Sequence, residues 1–200
     1  MKVIGINASP RKKANTETLV AAVLAGVEEK GASVRLVHLR ELEINGCLGC
    51  EWCKQHLGQC VQKDDLTSLM QEMTAYDAIV MGTPVYWYQV AGQFKLLVDR
   101  LYSFFDFSEN PETGAQEVNS AFPAGKKGVF VVSRGDAEPP PAYARMYAHL
   151  NEWLNLVPYS LGMESYEFLH QYGAGLDRKA AGADGELLAG ARAMGAGLVV

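Results

Sequence analysis

Apolar residues recur along this 200-residue chain in two alternating rhythms. Short unbroken apolar runs take turns with longer stretches in which apolar side chains return every three or four positions. The runs at 2–7 (Lys2-Val3-Ile4-Gly5-Ile6-Asn7), 78–82 and 128–133 read as strands buried on both faces, with 34–39 as the second strand and 163–169 as a fifth. Residues 17–30 carry Leu19, Val20, Val23, Leu24 and Val27 at a helical period and stop at Gly31. Asp64-Asp65 can cap a helix with the stripe Leu66, Leu69, Met70, Met73. Further helices are expected through Val90, Phe94, Leu97, Val98, Leu101 and Phe105, and over 184–198. Pro139-Pro140-Pro141 opens another, with Met146, Leu150, Trp153 and Leu154 on one face. Residues 46–62 read as irregular, and 108–125, with Pro111, Gly114, Pro123 and Gly125, as a long loop.

Strand and helix alternate about five times with no internal repeat and no composition break. That pattern predicts one α/β domain over 1–200: a five-stranded, doubly wound parallel sheet with helices on both faces. The turns after the first, third and fourth strands hold the unusual residues. In strand order 2-1-3-4-5 they meet beside the switch point between strands one and three, where open α/β sheets bind ligands.

Charge and hydropathy narrow the partners. Lys and Arg total 18 against 23 Asp and Glu, a net charge of -5, which argues against nucleic acid or an acidic membrane surface. No apolar run is long enough to span a bilayer. Met1-Lys2-Val3 leads straight into a strand without a signal-peptide pattern, so the expected location is the cytoplasm.

The first turn, Ala8 to Thr16, offers hydroxyl and amide groups from Ser9, Asn15 and Thr16, a charged donor in Arg11, and the free N–H groups of a helix start. A phosphate suits such a place; the plainer reading is a surface loop capped by Asn15. The third-strand turn is Thr83-Pro84-Val85-Tyr86-Trp87-Tyr88, a proline-fixed backbone followed by three aromatics. A flat ring can lie there, although aromatics at a strand end also serve simply to cover the core. Phosphate plus flat heterocycle is the shape of FMN. Neither G-x-G-x-x-G nor G-x-x-x-x-G-K-[ST] is present, which excludes the common dinucleotide and P-loop fingerprints.

G-I-N-A-S-P-R-x-x-x-N-T before a helix, G-T-P-V-Y-W after the third strand and F-K-L-L-V-D-R in the next helix resemble the NADPH-dependent FMN reductase family. The resemblance is strongest from Lys2 to Arg100. It implies a flavodoxin-like fold, with Ser9, Arg11, Asn15 and Thr16 on the FMN phosphate and Pro84, Val85, Tyr86 and Trp87 along the isoalloxazine. Ser133 and Gly135 fall in the third flavin loop, where Arg134 and Asp136 replace the usual small residues. Lys95, Asp99 and Arg100 are expected to brace the helix or a dimer interface.

All four cysteines lie between Cys47 and Cys60, spaced C-x-x-C-x-x-C and then a fourth after six residues. Such clustering points to metal or redox chemistry rather than a disulfide framework. Cys47, Cys50, Cys53 and Cys60 suit a [4Fe–4S] cluster, a tetrahedral zinc, or free redox-active thiols beside Lys54 and His56. The motif is also similar to that of the iron–sulfur flavoproteins, a branch of the same family, which implies a homodimer or homotetramer.

The expected function is electron transfer from NAD(P)H through FMN to a flavin, a quinone, a small aromatic acceptor or an iron–sulfur cluster. The cofactor carries that chemistry, so no catalytic side chain is assigned. Arg134 and the 108–125 segment are candidates for selecting nicotinamide or acceptor. The alternatives are an electron carrier between redox proteins without efficient NAD(P)H turnover, and a zinc- or thiol-based regulator without flavin.

Overall fold

Val3, Ile4 and Ile6 are fully buried in the computed structural model, which describes residues 1–138 and 140–199. Their strand, β1 (Lys2–Asn7), is the second of five parallel strands. It runs between β2 (Ser33–His38) and β3 (Ala78–Tyr86), with α1 (Asn15–Glu29) as the crossover. A short turn of helix, α2 (Trp52–Gln55), and α3 (Asp65–Met73) precede β3. Then follow β4 (Gln89–Val90), α4 (Gly92–Leu101), the hairpin β5 (Phe105–Glu109) and β6 (Gln116–Ser120), and β7 (Lys127–Ser133). The chain ends with α5 (Ala144–Ser160), β8 (Ser165–Gln171), α6 (Ala180–Ala183) and α7 (Gly185–Leu198). The order β2-β1-β3-β7-β8 is the expected 2-1-3-4-5 arrangement.

The three central strands, β1, β3 and β7, are apolar along most of their length because alternate residues serve opposite layers, whereas the edge strands β2 and β8 carry exposed polar positions. Val3, Ala78, Val80, Val129 and Val131 face α1 and α7, while Ile4, Ile6, Ile79, Met81, Phe130 and Val132 face α3, α4 and α5. On the first face the glycines permit close contact. A Cβ on Gly82 would come 2.4 Å from Val20 and 2.9 Å from Thr16, so this glycine seats the first turn of α1 against β3.

The Ala- and Gly-rich α7 has the same explanation. A Cβ on Gly195 would lie 1.8 Å from the Val23 carbonyl oxygen, and one on Gly26 would lie 2.0 Å from that of Arg192. The two helices touch backbone to backbone. Gly195→Ala is therefore expected to destabilise by about 1–3 kcal/mol through overpacking. Gly190→Ala, with open space around it, should instead be neutral or gain up to about 1 kcal/mol from helix propensity. Urea denaturation of the two variants should show opposite signs; equal effects would refute the close-packing account.

Several boundaries depart from expectation. Residues 108–125 are not a loop throughout: β5 and β6 pair antiparallel from Phe105↔Ser120 to Glu109↔Gln116. The connection is built by Asn110, whose Oδ1 accepts from Glu112 and Thr113 N–H (2.9 and 3.1 Å), and by Gly114 at φ +68°. Polar composition concealed these strands. The third strand does not end at Gly82; it continues to Tyr86, where β4 folds back on it. The helix expected from Val90 to Phe105 spans only Gly92–Leu101: Val90 pairs in β4 and Phe105 begins β5. The fifth strand is displaced by two residues, to Ser165–Gln171. Met146 is exposed, and the buried stripe of α5 is Tyr147, Leu150, Leu154 and Val157. The 3-10 turn Pro141–Tyr143 sets that phase; Pro139 lies outside the described residues.

Candidate functional site

The first turn is held by its own side chains. Asn7 is fully buried; its Oδ1 accepts from Ser9 N–H at 3.0 Å, and its Nδ2 lies 3.1 Å from His38 Nδ1. Ser9 Oγ accepts from Arg11 N–H at 3.2 Å. Lys13, in the left-handed region at φ 50°, donates its N–H to Glu17 (3.0 Å), and Arg40 pairs with the same carboxylate at 3.0 Å. The turn thus delivers α1 with Ala14 at its cap, a residue with no side-chain acceptor. By contrast, α3 and α7 are capped by Asp64 and Asp184. The leading N–H groups of α1 are left to an outside acceptor, and the helix dipole favours an anion there.

That helix end opens into a cavity of about 220 Å³ at the carboxyl edge of the sheet. Its walls include Ser9, Arg11, Asn15 and Thr16, then Pro84, Val85 and Tyr86, then Ser133 and Gly135. Every flavin-site residue expected from sequence is there except Trp87. Trp87 is 93% exposed, at the tip of the β3–β4 hairpin. Trp87 and Tyr88 both have positive φ (51° and 60°), a tight-turn geometry usually filled by Asn-Gly. Two bulky residues in that conformation store strain at the rim of the site. Tyr88 points the other way, stacked on Tyr143 at 5.0 Å and edge-on to Tyr147 at 5.3 Å.

The polar groups divide into free and committed. The Arg11 guanidinium lies 5.8 Å from the Tyr86 ring centre and links the first and third turns. Asn15 spends its amide on the chain after β8: Nδ2 donates to the Asp177 carbonyl (2.8 Å) and Oδ1 accepts from Ala181 N–H (3.0 Å). It is a strut rather than a free donor. Thr16 and Ser133 share a hydrogen bond of 2.6 Å across the floor. The strut brings in Arg178, a third arginine in the wall beside Arg11 and Arg134, which sequence reasoning missed. The available signal was its place in the loop after the fifth strand, at the ligand-binding edge.

Arg134 lines the cavity but is folded onto its own loop. Its Nε donates to the Asp136 carbonyl (3.1 Å) and Nη2 to that of Ala137 (3.3 Å). The guanidinium sits between the rings of Tyr147 (4.3 Å) and Tyr172 (4.1 Å). Tyr147 donates to Asp136 Oδ2 at 2.7 Å; burial and that carboxylate push its hydroxyl up to about 12. This is a brace for the third loop. A Cβ on Gly135 would lie 3.3 Å from the Gly175 carbonyl, so the two loops meet backbone to backbone.

The cysteines form a second site. Cys47, Cys50, Cys53 and Cys60 all line one cavity of about 100 Å³ between the 46–62 segment and the end of α4. All four are free thiols. Burial pushes the Cys53 thiol up, and the neighbouring Lys54 ammonium partly offsets this. Lys54 anchors the segment, donating to the Tyr102 and Phe105 carbonyls (3.0 and 2.5 Å) above the Tyr102 ring. His56 does not line the cavity; it stacks on Trp52 with ring centres 3.7 Å apart. Arg100 lies beneath the cysteines, clamped to Asp64 through two bonds of 2.8 and 3.0 Å. It braces α4 against the cap of α3, in line with the bracing role expected for it. Among the described residues, no three His, Cys, Asp or Glu side chains form a single-ion site.

The model of the NADPH-dependent FMN reductase family matches residues 1–139. An iron-sulfur flavoprotein of Methanocaldococcus jannaschii is 41% identical over 100 residues, covering 50% of this chain and 51% of the relative. A second iron-sulfur flavoprotein of that organism is 36% identical over 125 residues, covering 62% of each. The chain spans about half the length of most of the curated relatives it matches. The structure of an NAD(P)H:quinone oxidoreductase from Methanothermobacter marburgensis superposes with a TM-score of 0.77 over 99% of this chain and 98% of that one. At 17% identity, that is a likeness of fold. Among the described residues, no helix is long and apolar enough to cross a membrane.

Proposed function

The chain belongs to the NADPH-dependent FMN reductase family, and from that premise we propose that its first cavity seats FMN for electron transfer from NAD(P)H. The observation that carries this reading is one cavity in which an uncapped helix start and two arginines lie opposite a proline-fixed, aromatic-edged strand end. The donor set fits the group. The N–H groups of α1, with Arg11 and Arg178, suit a phosphate dianion. The backbone of Pro84 to Tyr86 and the Gly135–Gly175 contact leave a narrow space suited to a flat ring. FMN, when bound, supplies the acceptance of hydride from nicotinamide and the onward passage of electrons. The protein's part is to neutralise the phosphate, hold the ring and fix the loops: Thr16 to Ser133, Asn15 to the chain after β8, and Arg134 between its two tyrosines.

The cysteine cavity supports the second half of the proposal, a [4Fe–4S] cluster as resident redox partner. Four thiolates are the usual ligand set for such a cluster. A lone zinc needs four donors about 2.0–2.3 Å from one point, and the sulfurs here surround a cavity instead. The acceptors beyond are a quinone, a flavin or a small aromatic compound. A homodimer or homotetramer, in which a second copy covers Trp87, completes the reading.

The test begins with protein purified without oxygen. A flavin spectrum with broad extra absorbance and about four irons per chain is expected, with rapid flavin bleaching by NADPH or NADH in stopped flow. Bleaching only by dithionite or a ferredoxin would make the protein an electron carrier. A colourless protein that fails to bind added FMN would refute the proposal.

A further inference from the structure

A few buried side-chain polar atoms lack a hydrogen-bond partner among the described residues, and two of them meet at the cysteine cavity: Arg100 Nε and Ser103 Oγ. Arg100 is 2% exposed and Ser103 3%. Leaving a buried donor unpaired is costly, so such atoms call for an explanation. The other nitrogens of Arg100 are fully used. Nη1 donates to Asp64 and the Asn45 carbonyl (2.8 and 3.0 Å), and Nη2 to Asp64 and Thr67 Oγ1 (3.0 and 2.6 Å). Only Nε is spare. Three residues on, at the end of α4, the 3-10 turn Tyr102–Phe104 places Ser103 against the same cavity. The Ser103 carbonyl accepts from Gly58 N–H at 2.8 Å, which ties the segment carrying Cys60 to this floor. The guanidinium is close enough to Cys60 for the two to interact, yet no aligned Nε–H hydrogen bond is made. That donor is left available.

Resting on the cluster reading above, we propose that Ser103 and Arg100 donate hydrogen bonds to the sulfur atoms of the group held by Cys47, Cys50, Cys53 and Cys60, and so set its reduction potential. The remaining walls hold Leu48, Val61 and the Tyr102 ring, together with Glu51, Gln62 and Asp99. Asp99 is paired with Lys95, Gln62 donates to the Gly46 carbonyl and Glu51 is exposed, and neither spare donor bonds any of the three; the four cysteine sulfurs are the acceptors assigned to them. An added electron makes those sulfurs more negative. Donors aimed at them then stabilise the reduced form more than the oxidised one and raise the potential.

Ser103→Ala removes one donor with almost no change of shape. The full chain and this variant are reconstituted without oxygen using ferrous iron and sulfide, assayed for iron, and titrated potentiometrically by electron paramagnetic resonance. Equal iron is expected. At the potential where the parent is half reduced, the variant should stand about tenfold toward the oxidised form, a midpoint lower by about 59 mV for a one-electron couple. Before reconstitution, the variant should be as resistant to urea as the parent or more so, because its hydroxyl has no protein partner to lose. Arg100→Lys should lower the potential in the same direction; if it fails to fold, Ser103→Ala decides alone. Equal iron with midpoints within about a factor of two in population would overturn the inference and leave the cluster standing. A parent chain that takes up no iron would overturn the cluster reading, and this inference with it.

Discussion

Asp64→Ala is expected to cost about 3–5 kcal/mol, the penalty for stranding a buried charge. The Arg100 side chain is 1% exposed and that of Asp64 7%, and the pair is bidentate. Asp64 also caps α3 through Thr67 N–H (3.0 Å) and accepts from Asn45 N–H (3.1 Å) just ahead of the cysteine segment. One carboxylate therefore joins α3, α4 and the approach to Cys47. Burial alone would raise its pKa, but Arg100 and the two N–H groups outweigh burial and hold it well below the usual carboxylate range. The depressed value fixes the sign of the pH dependence. The stabilisation is present above the unfolded value, about 3.9, and is lost as pH falls from there toward the lower folded value. Urea denaturation should show the large loss at pH 7, and a shallower decline with acid in Asp64→Ala than in the parent. A loss below about 1 kcal/mol, the range of exposed pairs, would show that the pair does not anchor the region.

Removing Arg178 should weaken FMN binding about ten- to a hundredfold. Hydrogen bonds to charged groups contribute about 1.5–3 kcal/mol, and each 1.4 kcal/mol is about tenfold in affinity. Riboflavin, which has the ring but no phosphate, separates anion binding from general damage to the cavity. Flavin-fluorescence titration should show Arg178→Ala weakened for FMN and unchanged for riboflavin, with Arg11→Ala alike. Equal loss for both ligands would mean that Arg178 shapes the cavity rather than meeting the phosphate. Asn15→Ala should impair both ligands, because its amide holds the segment that carries Arg178.

Local pattern carried most of the architecture. The runs at Val3–Ile6 and Val129–Val132 could hardly be anything but strands covered on both sides, since every residue but Gly5 is buried hydrophobic. The alternation of elements gave a parallel, doubly wound sheet; its order 2-1-3-4-5 is the one the flavodoxin-like resemblance implies. The hairpin at 105–120 escaped because the alternation in β5 is only Phe105 and Phe107 long, with Phe105 also fitting the preceding helical stripe, and β6 carries one apolar residue, Val118. The helical spacing puts Met146 on the inward face with Leu150 and Leu154, yet the phase of α5 buries Tyr147 and leaves its hydroxyl on Asp136.

The amino-acid sequence by itself determined the sheet, its ligand-binding edge and the first-turn and strand-end residues of the cavity, because each depends on neighbours a few positions apart. It also brought the four cysteines together, because they share one short segment. Only the tertiary structure decided what those groups do. Asn15 became a strut to Asp177 and Ala181, 162 and 166 residues away, and Thr16 met Ser133 across 117. Arg178 came to line the first cavity, and Arg100 and Ser103 came to rest beneath the cysteines with donors unspent. Those roles depend on which polar atoms remain unpaired after packing, and that balance exists only once distant segments have come into contact.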